Sequence, residues 1–368
     1  MIVPFNDLSG QHLPLLKQFE ELFGNLLKTS DFILGPDVFK FEEEFSLAHG
    51  LRSFISCANG TDPLFGIYKR IVGGNRREVI IPAMSWLSTS EAVTLSGGVP
   101  VFCDVDADGL LDLNMVEKLV NENTVAINVV HLYGRQFDVS RLYKLRDKFG
   151  LKIVEDCAQS HFARNHSGYC GSNADYATFS FYPGKNLGAL GDAGGIYVRD
   201  ELDEKWMRGF LRHGCQTRGN QEYAGINSRM DTIQAGILRI KLGHVGENIR
   251  RRRAIADFYI NSLSDIREIR LPANPKSEEE HVWHQFTILV SDREALRDYL
   301  ESKGIHTMVH YPFVLPNLVT YAHLKLDNAF PMANKIARES VSLPIYPGLT
   351  MRQQTYVTDS IRKWYEHH

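Results

Sequence analysis

The chain has 368 residues, 43% of them hydrophobic, with a formal net charge of -3 and a pI near 6.5. That supports a sizeable core and more than one domain, while the charge balance gives no basic excess for nucleic acid and no acidic block for a disordered tail. No apolar run is long enough to span a bilayer, and MIVPFNDLSGQH lacks the basic start and apolar centre of a secretion signal, so a cytoplasmic location away from membranes is expected.

In chain order, EVIIPA (78–83), VPVFCDV (99–105), TVAINVVHLYG (124–134) and LKIVEDCA (151–158) are continuous apolar runs. Continuous rather than alternating runs predict strands covered on both faces. Helical segments lie before and between them at 62–72, 85–97, 114–122 and 139–150, and several end near glycine. This rhythm predicts a three-layer α/β/α domain around a mostly parallel sheet, with ligands beyond the carboxyl ends of the strands. YATFSFYP (176–183) reads as a further strand beside LKIVEDCA.

A long helix is predicted from Met230 to Leu242, continuing through NIRRRRAIADFYINSL. At a helical period Arg250 to Arg253 spread around the axis, which predicts a solvated or inter-subunit face rather than a nucleic-acid stripe. Beyond it come a strand at 282–290, an amphipathic helix at 293–304 and a final helix at 351–366. These suit a smaller α+β domain, with division into 1–245 and 246–368. The five cysteines, Cys57, Cys103, Cys157, Cys170 and Cys215, are odd in number and widely spaced, without a CxxC pair. Free thiols are expected, with no disulfide framework and no metal site.

Four weak signals sit at the predicted strand ends. VEDCAQSH puts Asp156 at the end of a buried strand and Gln159 three residues later; a helix cap or loop carboxylate is the ordinary alternative. Lys185 lies between the aromatic run TFSFYP and the glycine-rich NLGALGDAGG, where a structural salt bridge with Asp156 is the ordinary alternative. SCANGTDPL places Gly60 and Thr61 at a helix start, whose N–H groups suit phosphate; Asp62 would help only through its backbone N–H. PAMSWLSTS offers Trp86 as a plate for a flat ring, although a lone aromatic is more often core. Together they form the set that holds pyridoxal 5'-phosphate: an amine for its aldehyde, a carboxylate for its ring nitrogen, a phosphate cradle and a stacking surface.

These residues also resemble the DegT/DnrJ/EryC1/StrS sugar aminotransferases, pyridoxal-phosphate enzymes of fold type I. PFNDLSGQH, FILGPDVFKFEEEFSLAHG, CANGTDPL, IPAMSWLST, GGVPVFCDVD, VVHLYGRQFDV, VEDCAQSH, FSFYPGKNLGALGDAGG, GINSRMDTIQAGIL, VHYP and SLPIYPGLT occur in family order along almost the whole chain. The resemblance implies Lys185 as the Schiff-base lysine and proton shuttle, with Asp156 on the pyridine nitrogen. It implies Gln159 on the ring hydroxyl and Trp86 on the ring face. Gly60, Thr61, Asp62 and Ser180 would take the phosphate, joined by Asn227 across a homodimer interface that shares the active sites. Tyr182, His310 and Tyr311 stand where the family approaches the sugar nucleotide.

The implied reaction moves an amino group from L-glutamate, leaving 2-oxoglutarate, to C3 or C4 of a nucleotide-linked keto-deoxysugar. Such sugars serve surface glycans such as O-antigen, or secondary metabolites. The alternatives are a sugar-nucleotide dehydratase, in which the lysine is replaced by histidine, and a regulatory protein on the same fold. Departures from the family pattern are Gly184, where threonine or serine is common, and Ser160, His161 and HFARNHSGYCGS. These are expected to reshape the sugar pocket.

Overall fold

The computed structural model describes residues 1–217, 219–326 and 329–367. The continuous apolar runs fold as strands of one seven-stranded sheet. The strands are β1 (Ile55–Cys57), β2 (Glu78–Pro82), β3 (Val99–Cys103), β4 (Thr124–Val130), β5 (Lys152–Asp156), β6 (Tyr176–Ser180) and β7 (Gly194–Val198). Their order across the sheet is β1-β7-β6-β5-β4-β2-β3. Only β7 runs antiparallel to its neighbours; the β6–β5, β5–β4, β4–β2 and β2–β3 pairs are all parallel. The carboxyl ends of β1 to β6 therefore share one edge, the edge at which such sheets bind ligands.

Both faces are covered, as the strand texture requires. One face packs Val79 and Ile81 with Leu64, Ile67 and Tyr68 of the helix Thr61–Ile71. A separate cluster is rich in phenylalanine: the Phe45 ring lies 4.6 Å from Phe54, 5.2 Å from Phe179 and 5.3 Å from Phe181. Each fully buried ring contributes about 1.5–3 kcal/mol through area removed from water, and the tilted edge-to-face contacts add to it. The expected helices appear as Thr61–Ile71, Ser88–Leu95, Leu113–Leu119 and Ser140–Phe149. The second starts later than the sequence pattern implied, because residues 84–87 form the turn that carries Trp86.

The long helix predicted from Met230 is interrupted. Thr232–Leu242 and Val245–Leu263 are separate helices, broken at Gly243 and His244. Glycine is the poorest helix former after proline, and the apolar periodicity does not register the break. The four arginines do spread: Arg250 and Arg251 both bond Glu247, while Arg253 reaches the His281 carbonyl. Arg252 departs from the expectation of a solvated face, because its side chain is buried.

Residues after the second helix build a smaller cluster around the antiparallel pair β8 (Phe286–Leu289) and β9 (Ser340–Leu343). Val3 belongs to that cluster, and its N–H bonds the Gly304 carbonyl at 2.8 Å, which carries Phe5 and Asn6 toward the sheet edge. Between β8 and β9 the chain returns to the large sheet. Leu315 N–H donates to Ala83 O at 2.8 Å, and the buried Asp104 carboxylate caps the helix Pro331–Glu339 at Met332 and Ala333. The five cysteines are free thiols. Among the described residues no helix is long and apolar enough to cross a membrane.

Gly194 and Gly195 let β7 lie between β1 and β6. A Cβ on Gly194 would stand 2.1 Å from the Asn59 carbonyl oxygen, and one on Gly195 would stand 2.1 Å from Phe54 Cζ. The first obstacle is backbone and cannot swing away. Gly194→Ala is therefore expected to destabilise the chain by about 2–3 kcal/mol, read as a lower urea midpoint. A midpoint equal to that of the parent would refute this account of the contact.

Candidate active site

The ends of β1, β2, β5 and β6 open into a cavity of about 450 Å³ whose lining includes Gly60, Thr61, Trp86, Asp156, Gln159, Ser180, Tyr182, Lys185 and Tyr311. A second cavity of about 390 Å³ adjoins it, sharing Trp86, Gln159, Tyr182, Lys185 and Tyr311 and adding His310. All the residues singled out from the sequence line one or both, except Asp62 and Asn227. Residues that sequence reasoning missed also line the second cavity: Phe5 and Asn6 from the N-terminal segment, His284 and Gln285 before β8, and Arg252.

Asp156 is the last residue of β5, and β6 runs alongside it in register with Thr178. Its carboxylate is buried, and Oδ1 accepts the Ala158 N–H at 3.0 Å. Burial raises its pKa above the usual carboxylate range, more than that bond and the charge of Lys185 lower it. Lys185 is half-buried in the turn after β6, where its own N–H closes onto Tyr182 O at 2.8 Å. Its amine has no hydrogen bond or ion pair among the described residues, and burial lowers its pKa to about 8 against the opposing pull of Asp156. The salt bridge that was the ordinary alternative is thus not formed.

Behind Asp156, Glu155 points to the other face and bonds His131 Nε2 at 2.8 Å. Phe137 N–H donates to His131 Nδ1 at 2.9 Å, so the ring proton sits on Nε2 and faces Glu155. His131, Glu155 and Cys157 bring one donor atom each within 4.8 Å of one another, a buried cluster that the sequence did not announce. The hydrogen bonds of His131 account for its position without an ion.

Gln159 is fixed at both ends of its amide. Oε1 accepts Tyr133 N–H at 2.7 Å, and Nε2 donates to the Tyr311 hydroxyl at 2.9 Å. Tyr133 takes a left-handed φ of 60° to aim that N–H, and its own hydroxyl bonds the His310 carbonyl. Trp86 is 51% exposed, so it is not a core residue; its ring centroid lies 5.5 Å from that of Tyr311. Tyr182, which lines the same cavity, is also exposed.

At the start of the helix Thr61–Ile71, Asn59 Oδ1 accepts the N–H groups of Thr61 and Asp62, both at 2.9 Å. Asn59 Nδ2 holds the Asp62 carboxylate at 3.0 Å, which turns Asp62 away from the cavity. Gly60, Thr61 and Ser180 all line the cavity at this helix start. A Cβ on Gly60 would stand 2.8 Å from Ser180 Cβ, so glycine keeps the cradle open. Asn227 is exposed and outside both cavities, although its neighbour Ser228 accepts Ala58 N–H at 3.2 Å and ties the segment to the cradle.

Two departures from the family pattern are resolved. Gly184 has open space: a Cβ there would meet nothing closer than Tyr182 Cε1 at 3.8 Å. Ser160 and His161 do not shape the pocket as expected. Both are fully buried in the phenylalanine cluster, with the His161 ring stacked on Phe181 at 5.3 Å. The apolar faces of the neighbouring rings claim that position, and burial drives the His161 pKa far down.

The sequence profile of the DegT/DnrJ/EryC1/StrS aminotransferase family matches residues 15–362. The chain is 36% identical over 367 residues to a dTDP-3-amino-3,4,6-trideoxy-alpha-D-glucose transaminase of Streptomyces venezuelae, covering 99% of this chain and 96% of that one. It is 35% identical over 371 residues to a pleiotropic regulatory protein of Geobacillus stearothermophilus, covering the whole of both. The crystal structure of S. venezuelae DesV in complex with a ketimine intermediate superposes with a TM-score of 0.94 at 35% identity, over 99% of this chain and 98% of that one.

The raised pKa of Asp156 means that ionising it works against the fold at every pH above the ordinary carboxylate range. Cofactor-free Asp156→Asn is therefore expected to melt higher than the cofactor-free parent at neutral pH. The gap should close in acid, where the parent carboxyl is protonated in both states. Calorimetric scans at several pH values check this, and a variant melting lower at neutral pH would contradict it.

Proposed function

Because the chain belongs to the DegT/DnrJ/EryC1/StrS aminotransferase family, we propose that it transfers an amino group from L-glutamate to a nucleotide-linked keto-deoxysugar. Pyridoxal 5'-phosphate is the cofactor. When bound, it supplies an aldehyde and an electron-withdrawing ring. The residues fit it: the cavity is about 450 Å³, with an unpaired amine, a buried carboxylate and an open cradle on its walls.

The observation that carries this reading is the placement of Lys185 and Asp156 in one cavity with no bond between them. Lys185 must be neutral to act as nucleophile and base, and a pKa of about 8 leaves a useful neutral fraction near neutral pH. Its Nζ would take the proton from the α-carbon of the donor and, in the second half of the cycle, deliver one to the sugar carbon. Asp156 would keep a proton on the ring nitrogen, and that cation would supply the counter-charge its burial lacks. Trp86 would cover the ring face. Gly60, Thr61 and Ser180 would hold the phosphate, with the Asn59 cap giving up or sharing its N–H groups. Gln159 would turn toward the ring hydroxyl from its present bond to Tyr311.

Tyr182, His310 and Tyr311 would contact the sugar. The exposed Asn227 is the feature that favours a homodimer, since it would reach the phosphate of the partner's site. Amination at C3 is favoured by the name of the S. venezuelae relative. A regulatory role is disfavoured by the same cavity, because a binding fold without chemistry has no need of an unpaired lysine facing a buried carboxylate.

Nitrogen-labelled glutamate and a panel of keto-sugar nucleotides test the reading, with product mass and NMR giving the carbon and its configuration. Lys185→Ala should lower transfer by at least about 10²–10⁴-fold. Deoxysugar without the label would establish dehydration instead.

A further inference from the structure

Arg252 is the residue that the reading above leaves without a task. It is 3% exposed, on the helix Val245–Leu263, yet it lines the second cavity together with Lys185. Its three hydrogen bonds all use one nitrogen: Nη1 donates to Trp283 O at 3.1 Å, His284 O at 3.4 Å and Ile345 O at 2.8 Å. Nε and Nη2 have no partner, and no carboxylate pairs with the guanidinium, among the described residues. Burying a cation without a counter-ion is costly, and anchoring it to three carbonyls fixes its plane without cancelling its charge.

The cavity offers little other positive charge. Among the described residues, Lys185 and Arg252 are the only lysine or arginine lining either cavity. The imidazoles of His284 and His310 are held neutral, with His310 pushed down to about 4, chiefly by burial. Lys185 is committed to the cofactor. One fixed cation with a free edge therefore remains, and Nε with Nη2 is the pair of donors that matches the two oxygens of a carboxylate.

We propose that Arg252 binds a carboxylate of the amino-acid donor, an assignment that rests on the aminotransferase reading of the site. The cofactor phosphate is not its partner, because the cradle of Gly60, Thr61 and Ser180 opens into the first cavity, which Arg252 does not line. The diphosphate of a sugar nucleotide suits it poorly as well. That group carries a nucleoside which must reach solvent, whereas Arg252 is almost fully buried. The same guanidinium would hold the keto acid leaving the first half-reaction, and its vacant edge would be covered by neutral sugar hydroxyls in the second.

Each half-reaction is measured alone on the holoenzyme of the parent, Arg252→Lys and Arg252→Met. Conversion by L-glutamate should fall about 10- to 100-fold in Arg252→Met, mostly through a higher KM, and less in Arg252→Lys. The keto-sugar half, started from the aminated enzyme, should fall by a clearly smaller factor, because neutral hydroxyl groups gain less from the cation than a carboxylate does. Glutarate, which cannot react, should bind the parent holoenzyme in calorimetry and weaken by the same factor in the variants. A crystal of the parent holoenzyme with glutarate gives a reading independent of how the variants fold, with a carboxylate expected on Nε and Nη2. Glutarate seated elsewhere, unchanged glutarate affinity in a folded Arg252→Met, or a loss confined to the sugar half overturns the proposal. A parent holoenzyme converted by no amino acid overturns the aminotransferase reading beneath it, a different and separately visible failure.

Discussion

A cation and an anion share one cavity here and do not touch. The Asp156 carboxylate and the Lys185 amine shift each other's pKa through space, yet no ion pair joins them among the described residues. In a medium of low dielectric two such groups would gain by closing together. They are held apart by backbone. Asp156 is pinned to the end of β5 by its bond to Ala158, and Lys185 is pinned to the turn after β6 by its bond to Tyr182. Burial disfavours the charge on each, raising the Asp156 pKa and lowering that of Lys185, and among the described residues neither has a charged partner in contact.

That separation is a property of the sheet. Adjacent parallel strands deliver their carboxyl ends to one edge, and β5 and β6 are adjacent and parallel. The cradle arrives differently. β1 reaches the same edge because β7, reversed, lies between it and β6. Cys57 and Ser180 both pair with Gly194, so the distance from the Gly60 turn to Ser180 is set by one narrow strand. A bulkier strand there would open the cradle. Glu42 adds a second restraint by accepting both the N–H and the hydroxyl of Ser56, while it pairs with Arg208.

The sheet was legible in the sequence because doubly covered strands must be continuously apolar. So were Lys185 and Asp156, since a lysine among aromatic and glycine residues and an acid at a strand end are both out of place as ordinary surface. Legibility fails where the cause is long-range. Arg252 sits among three other arginines, and nothing in RRRR says which one is buried; only the fold turns that side chain inward. The Asn59 cap was hidden because ANGT reads equally well as an open phosphate loop or as a capped helix start. His161 follows Gln159 closely enough to look like a pocket residue, but residues 158–162 turn away from the strand direction and the ring packs on Phe181 in the core. Phe5 and Asn6 reach the cavity only because Val3 joins the far cluster.

The two cavities differ in a way that bears on ping-pong chemistry. The first holds fixed charge and hydrogen-bonding groups at set positions, as suits a cofactor that stays. On the proposed reading, the second would accept an anionic amino acid and a neutral sugar ring in turn. The two imidazoles in its wall are held from behind by neutral groups: Ser342, itself bonded to Thr287, bonds His310 Nδ1, and the Asn186 amide meets His284 Nδ1. A neutral imidazole can donate or accept, so such a wall can match hydroxyl groups without strongly attracting an anion. Spread cationic charge would bind the keto acid product too tightly for the sugar to displace it. On the proposed reading, Arg252, the one cation beside Lys185 among the described lining residues, would give an acid a foothold and leave the rest of the surface to hydroxyl groups, so that one cavity would serve both halves of the cycle.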